Sequence, residues 1–131
     1  MHKFNPRKRA LLDDPKRLFF ENPDAILSEA GVKSGEVVAD IGCGTGFFTL
    51  PLARYVGKNG KVFALDTSPT MIKELRKRTR NLKQVEPIHS QENKFSVGNE
   101  SVDFVLLVNM VHELEDWKLF FKEVRRILAS G

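Results

Sequence analysis

The sequence predicts an α/β fold in which a parallel sheet is flanked by helices. Apolar segments of strand length alternate along the chain with segments of helical periodicity, and this alternation favours parallel strands joined by right-handed crossovers. Residues 102–108 are nearly all apolar, which is typical of a strand covered by helices on both faces. Turn residues separate these segments at short intervals, so we expect one layered domain core.

Capping and turn residues set the bounds of each element. Asn22-Pro23 predicts the start of a helix, and Gly31 and Gly57 predict the ends of two helices. Asp116 is expected to cap a last helix whose apolar residues recur at helical spacing from Trp117 onward. The predicted elements, in order, are a helix over 24–30, a strand over 36–41, a helix over 47–56, a strand over 61–66, a helix over 70–80, strands over 85–89 and 101–109, and a helix after 116.

The first 20 residues have no clear period and are expected to form a loose or helical arm. We therefore predict two parts, an N-terminal helical arm or lid over 1–34 and a core over 35–131. The core is large enough to bury an apolar interior without disulfides.

Composition indicates a cytoplasmic protein. The 131 residues include one cysteine, Cys43, which excludes an internal disulfide and suits a reducing compartment. No apolar run reaches the roughly 18 residues of a membrane span, and the N-terminal residues lack the apolar stretch of a signal peptide. The net charge is +4, with basic clusters at 7–9 and 73–80 that are most simply a solvated surface, while nucleic-acid binding is the alternative.

The most informative segment is the glycine loop after the first predicted strand, Asp40-Ile41-Gly42-Cys43-Gly44-Thr45-Gly46. Glycines let the backbone approach a ligand closely, and the helix that follows supplies N–H groups. A phosphate loop is excluded because no Gly-Lys-Ser/Thr follows, and the dinucleotide pattern G-x-G-x-x-G is missed because Phe47 occupies its third glycine position. The pattern that remains is acidic-x-G-x-G-x-G.

Two carboxylates accompany this loop. Asp66 ends the second predicted strand, where a carboxylate can accept two hydrogen bonds from a ribose diol, and its alternative role is to cap the helix that begins near Ser68. Asp40 stands just before the glycines and is expected to lie on the ligand side. Its alternative role is only to form the turn.

The acidic-x-G-x-G-x-G pattern resembles motif I of the class I S-adenosylmethionine-dependent methyltransferases, and the chain is similar to that family from about Gly35 onward. The segment 62–71 resembles the family's second strand with its D-x-S-x-x-M sequence, 101–109 its fourth strand and 121–128 its following helix. The branch it most resembles contains ubiquinone/menaquinone-biosynthesis and arsenite methyltransferases. The resemblance implies a Rossmann-like sheet with strand order 3-2-1-4, the cofactor S-adenosylmethionine and the product S-adenosylhomocysteine.

The resemblance also implies a set of cofactor-binding residues. By position, the glycines line the methionine and ribose portion, Asp66 the ribose hydroxyls and Gln91 the adenine amino group, where the family commonly has aspartate. The full expected set is Asp40, Gly42, Gly44, Gly46, Asp66, Thr67, Met71, Gln91 and Asn109. No catalytic side chain is assigned, because the sulfonium methyl is already activated and the protein mainly aligns donor with acceptor.

The family pattern stops at Gly131, before strand 5 and the hairpin of strands 6 and 7, so we expect either a fragment or a minimal domain. The fourth strand would then be an outer strand, and its apolar edge predicts a homo-oligomer, most simply a dimer.

Other functions stay open. The acceptor is expected to be a small molecule, while RNA, protein, or no turnover at all are alternatives, and a nicotinamide-dependent oxidoreductase ranks lower because of the glycine spacing. No metal site is expected, because His112-Glu113 is followed by Asp116 where the zinc motif needs histidine. Cys43 lacks the partners of a nucleophile.

Overall fold

The computed structural model describes residues 2–3, 9–13, 23–108 and 115–129. They form one six-stranded sheet with helices on both faces. The elements, in order, are β1 (His2–Lys3), β2 (Arg9–Asp13), α1 (Pro23–Ala30), β3 (Val37–Ile41), α2 (Thr49–Val56), β4 (Lys61–Asp66), α3 (Pro69–Arg78), β5 (Val85–His89), β6 (Phe104–Val108) and α4 (Trp117–Ile127).

The sheet order is β1-β2-β6-β3-β4-β5. The pairs β3–β4, β3–β6 and β4–β5 are parallel, so the four strands predicted from the sequence take the expected order 3-2-1-4, which is confirmed. Alternate residues of these strands face opposite sides of the sheet. Those on one face pack against α1 and α2, and those on the other pack against α4.

The N-terminal segment supplies the two strands that the sequence did not predict. Arg9–Asp13 pairs in parallel with β6 from Arg9 opposite Phe104 to Asp13 opposite Val108, and β1 pairs antiparallel with β2. The expected loose or helical arm was therefore wrong for these residues, although α1 confirms the helix predicted over 24–30. A five-residue strand without alternating polarity gives no period to detect.

This pairing also corrects the expectation of an open edge. β6 corresponds to the fourth predicted strand and lies between β2 and β3, so its N–H and C=O groups have partners on both sides. A dimer through that edge is not expected, because the chain covers the edge with its own N-terminal residues.

A deletion tests this cover. Removal of residues 1–13 exposes the apolar edge of β6. We expect this variant to self-associate more than the full chain does at the same concentration. The measurement is light scattering up to roughly 100 μM, well above the micromolar affinities of modest interfaces. The control removes only residues 1–3 and leaves β2 in place. Equal association of the full chain and the longer deletion variant would show that residues 1–13 do not protect the edge of β6.

One further expectation was wrong. The helical spacing predicts Trp117 on the buried face of α4, but it is the first residue of the helix and is 58% exposed, whereas Phe120, Val124 and Ile127 are buried. Within the described ranges, no helix has the length and apolarity that crossing a membrane requires.

Candidate cofactor site at the carboxyl ends of β3 and β4

The glycine loop leaves β3 at its carboxyl end and leads into α2. Gly42, Gly44 and Gly46 have φ angles of 78°, 56° and 108°, in the region that L side chains rarely adopt. A Cβ on Gly46 would lie 2.7 Å from Leu75 Cδ1, whereas a Cβ on Gly44 would meet no protein atom within 4 Å. A side chain at Gly46 would therefore have to displace the end of the Leu75 side chain, whereas Gly44 borders open space.

Backbone hydrogen bonds fix the loop to β4. The N–H groups of Gly42 and Cys43 both donate to the Leu65 carbonyl, at 2.8 and 3.0 Å. Gly44 N–H donates to Asp66 Oδ2 at 2.8 Å. The loop and the end of the neighbouring strand thus form one unit, as expected where ligands bind beyond the carboxyl ends of parallel strands.

Asp66 has two structural partners. Oδ2 accepts from the Gly44 N–H, and Oδ1 accepts from Ser68 N–H at 2.9 Å. The cap of α3 itself is Ser68, whose Oγ accepts from Met71 N–H at 3.3 Å. An ionised carboxylate offers about four acceptor positions, so the half-buried Asp66 keeps capacity for a ligand.

Asp40 is the buried acid of the site. Its side chain is 2% exposed, and the hydroxyl of the fully buried Thr49 donates to Oδ2 at 2.7 Å. Burial raises the pKa of Asp40 to about 7, the Thr49 hydrogen bond lowers it and the negative charge of Asp66 raises it. Asp40 thus changes charge near neutral pH.

Cys43 lies in the same loop and is buried. Burial, together with the charges of Asp40 and Asp66, holds the pKa of its thiol far above the usual range. The thiolate is the nucleophilic form of cysteine, so Cys43 is a structural residue.

The other predicted site residues lie at the same end of the sheet or outside the described part. Thr67 follows β4, and its carbonyl lies 3.1 Å from His89 Nε2. Met71 is 42% exposed in the first turn of α3, and Gln91 is exposed just beyond β5. Asn109, His112 and Glu113 lie outside the described residues. In the part of the chain that is described, no cluster of three His, Cys, Asp or Glu side chains is arranged to hold a metal ion.

A methyltransferase-domain family matches residues 38–131. The chain belongs to this family. A demethylmenaquinone methyltransferase of Staphylococcus aureus is 27% identical over 106 residues, which are 81% of this chain and 44% of that protein. The methyltransferase chain thus spans less than half the length of that curated relative.

Solved structures of other proteins share the fold. An S-adenosylmethionine-dependent methyltransferase from Aquifex aeolicus matches with a TM-score of 0.82 at 36% identity, over 89% of this chain and 63% of that one. The PH0226 protein from Pyrococcus horikoshii matches with a TM-score of 0.73 at 28% identity, over 87% of this chain and 53% of that one. The resemblance inferred from the glycine loop is confirmed at the level of family and fold.

Sequence reasoning missed Thr49 as a site residue. Its hydroxyl is the partner of Asp40, yet it lies nine positions later along the chain, at the start of α2. The available signal was a small hydroxyl residue that lies in the first turn of a helix and has apolar neighbours in the sequence. That pattern is common, so only the folded arrangement distinguishes it.

Proposed function

We propose that this methyltransferase-family protein binds S-adenosylmethionine at the glycine loop and transfers its methyl group to a small molecule. The observation that supports binding of this cofactor is the hydrogen bond from Gly44 N–H to Asp66 Oδ2. It places a glycine-lined opening beside a carboxylate that can accept further hydrogen bonds. A ligand with a ribose diol next to an amino-acid tail fits that combination.

Each residue then has a physical role. Asp66 accepts hydrogen bonds from the ribose hydroxyls, and the open side of Gly44 lets the ligand approach the backbone. At pH values above its pKa of about 7, Asp40 provides negative charge beside the loop. Thr67, Met71, Gln91 and Asn109 complete the proposed cofactor surroundings. When bound there, S-adenosylmethionine would supply a methyl carbon activated by the sulfonium, and these residues would hold it in place for the acceptor.

A small-molecule acceptor is supported by the curated relative, whose name describes methylation of demethylmenaquinone. An RNA or protein acceptor is the alternative if the basic residues at 7–9 and 73–80 form one surface. The basic residues of α3 lie on its exposed side, where Arg78 Nε is 3.6 Å from Glu74 Oε1. We propose a cytoplasmic location on the basis of the single buried cysteine.

A cofactor-binding module without turnover is the second candidate, because the described residues of the site account for cofactor binding and none of them is assigned to the acceptor. Calorimetric titration with S-adenosylmethionine, S-adenosylhomocysteine and NAD tests the binding proposal. We expect the first two to bind and NAD not to bind. Tighter binding of NAD would overturn the proposed cofactor, while binding of S-adenosylmethionine without methyl transfer to any quinone-like, amine or thiol acceptor would favour the module.

Asp66→Ala tests the ribose contact. We expect the affinity for S-adenosylhomocysteine to fall about 10- to 150-fold, which corresponds to about 1.5–3 kcal/mol for hydrogen bonds to a charged group. Because Asp66 also holds Gly44, the 2′,3′-dideoxy analogue serves as a ligand control. Wild-type protein should prefer the natural ligand, and the variant should lose most of that preference. An unchanged preference would remove Asp66 from the ribose site.

A further inference from the structure

The connection between β5 and β6 has almost no regular structure. Its described features are two isolated bridges, an antiparallel one between Gln91 and Lys94 and a parallel one between Val102 and Leu128, together with turns and bends up to residue 103. The turn over 91–94 begins one residue after the end of β5, at the end of the sheet where the glycine loop lies. Something other than sheet pairing must hold this turn in place.

Two charged side chains of α4 supply that support, and we call Glu123 and Arg126 the α4 clamp. Glu123 Oε2 accepts from Phe95 N–H at 2.6 Å, and Arg126 Nη2 donates to the Phe95 carbonyl at 2.8 Å. Both backbone polar groups of Phe95 are therefore bonded to side chains of one helix, as they would be to a neighbouring strand.

The two side chains of the clamp are also bonded to each other. Arg126 Nε donates to Glu123 Oε1 at 2.6 Å and Nη2 donates to Oε2 at 2.9 Å, which is the paired geometry that arginine and carboxylate favour. Arg126 Nη1 also donates to Asn99 Oδ1 at 2.6 Å. The Arg126 hydrogen bonds hold the pKa of Glu123 below its usual range, so the pair stays ionised.

Side-chain packing reinforces the same contact. Phe95 is 3% exposed, and its ring meets Phe120 of α4 edge-on with centroids 5.7 Å apart. At the other end of the turn, Ser90 N–H donates to the Asp66 carbonyl at 2.9 Å. The 91–94 turn is thus fixed between the α4 clamp on one side and the residue proposed to bind ribose on the other.

The position of this turn matters for a nucleoside ligand. If the amino-acid tail lies at the glycine loop after β3 and the ribose at Asp66 after β4, the base extends over the next strand in the sheet, β5. The 91–94 turn is the segment that continues from the carboxyl end of β5. It is therefore the described segment best placed to contact the edge of the base.

We propose that Glu123 and Arg126 are positioning residues for recognition of the cofactor's purine base, acting through Phe95 on the 91–94 turn. This inference rests on the proposed function, because it assumes that an adenosyl ligand binds at this end of the sheet. In this proposal neither side chain contacts the ligand. Both act by fixing the distance between the 91–94 turn and the purine base.

The test uses Arg126→Lys and Glu123→Gln. Lysine keeps the charge but cannot reproduce the planar fork, and glutamine keeps the shape but loses the ionised acceptor. The control is Arg125→Lys, a neighbouring exposed position on α4. Two ligands are titrated against each protein, S-adenosylhomocysteine and S-inosylhomocysteine, which differ at the purine 6 position. Amide hydrogen exchange of the unliganded proteins is measured in parallel.

We expect exchange at the Phe95 amide to be about 10-fold faster in both variants, with little change in β5. The affinity for S-adenosylhomocysteine should fall about 3- to 10-fold, and the preference over S-inosylhomocysteine should fall with it. The control should match wild type in all three measurements.

Three results would overturn parts of this inference and can be told apart. Unchanged exchange at Phe95 would refute the clamp. Equal losses for both ligands, with the preference retained, would refute base positioning and leave a purely structural clamp. Failure of wild-type protein to bind either ligand would refute the proposed function and the base role together, while the exchange data would still decide whether the clamp exists.

Discussion

Replacement of Asp40 by Asn should stabilise the fold by about 2–4 kcal/mol at pH 8 and by almost nothing near pH 4. Asp40 is 2% exposed, and burial raises its pKa from 3.8 to about 7. Asparagine has the same shape, accepts the same hydrogen bond from Thr49 and cannot ionise. The variant therefore avoids the cost of charging a buried group.

The direction of the pH dependence follows from the two protonation states. Below pH 3.8 the carboxyl group is protonated in both the folded and the unfolded chain, so it contributes no difference. Between that pH and about 7 the unfolded chain ionises first, and the free energy of unfolding of the wild-type protein falls. Above about pH 7 the loss is complete, at most about 4 kcal/mol at 1.36 kcal/mol per pKa unit.

Urea unfolding of wild type and Asp40→Asn at several pH values between 4 and 8 measures the effect, since the contributions of other groups cancel in the difference. Thr49→Val serves as the companion variant. It removes the hydrogen bond that lowers the pKa of Asp40, so its destabilisation should be larger above pH 7. A difference between Asp40→Asn and wild type that stays constant with pH would show that Asp40 keeps an ordinary pKa.

The same substitution should weaken cofactor binding. S-adenosylhomocysteine carries an ammonium group, and Asp40→Asn removes a negative charge beside the loop that is proposed to hold it. Wild-type affinity should therefore rise between pH 6 and pH 8 as Asp40 ionises, and the affinity of the variant should be flat over that interval. A gain in stability paired with a loss of binding is the usual trade-off at a functional site.

Gly44→Val should abolish measurable binding of S-adenosylhomocysteine, a loss of at least about 100-fold, while the protein still folds. A Cβ on Gly44 meets no protein atom within 4 Å, so the branched side chain enters the space proposed for the ligand. The substitution also costs about 1–3 kcal/mol of stability, because Gly44 has a φ of 56°.

The matched control for this variant is Gly31→Val. Gly31 has a φ of 81°, and a Cβ there also meets nothing within 4 Å, but it follows α1 at the opposite end of the sheet. Both variants should lose similar stability in urea, and only Gly44→Val should lose binding in calorimetry. Wild-type affinity in Gly44→Val, or equal loss in both variants, would remove the glycine loop from the ligand site.

Much of this fold was determined by local sequence. The strand over Lys61–Asp66 and the strand over Val85–His89 have the bounds that the sequence predicted, and Gly57 ends α2 as expected. These features depend on residues close together in the chain, where turn chemistry and side-chain periodicity act directly. The glycine loop belongs to the same class, because the φ values of its glycines are a local requirement.

Only the tertiary structure decided which distant residues meet. The edge of β6 is covered by Arg9–Asp13, the carboxyl group of Asp40 is buried against Thr49, and the 91–94 turn is held by Glu123 and Arg126. Each of these contacts joins segments whose own sequences are compatible with several partners. Strand pairing, burial and the resulting pKa depend on what the rest of the chain packs against a residue, and no local pattern carries that information.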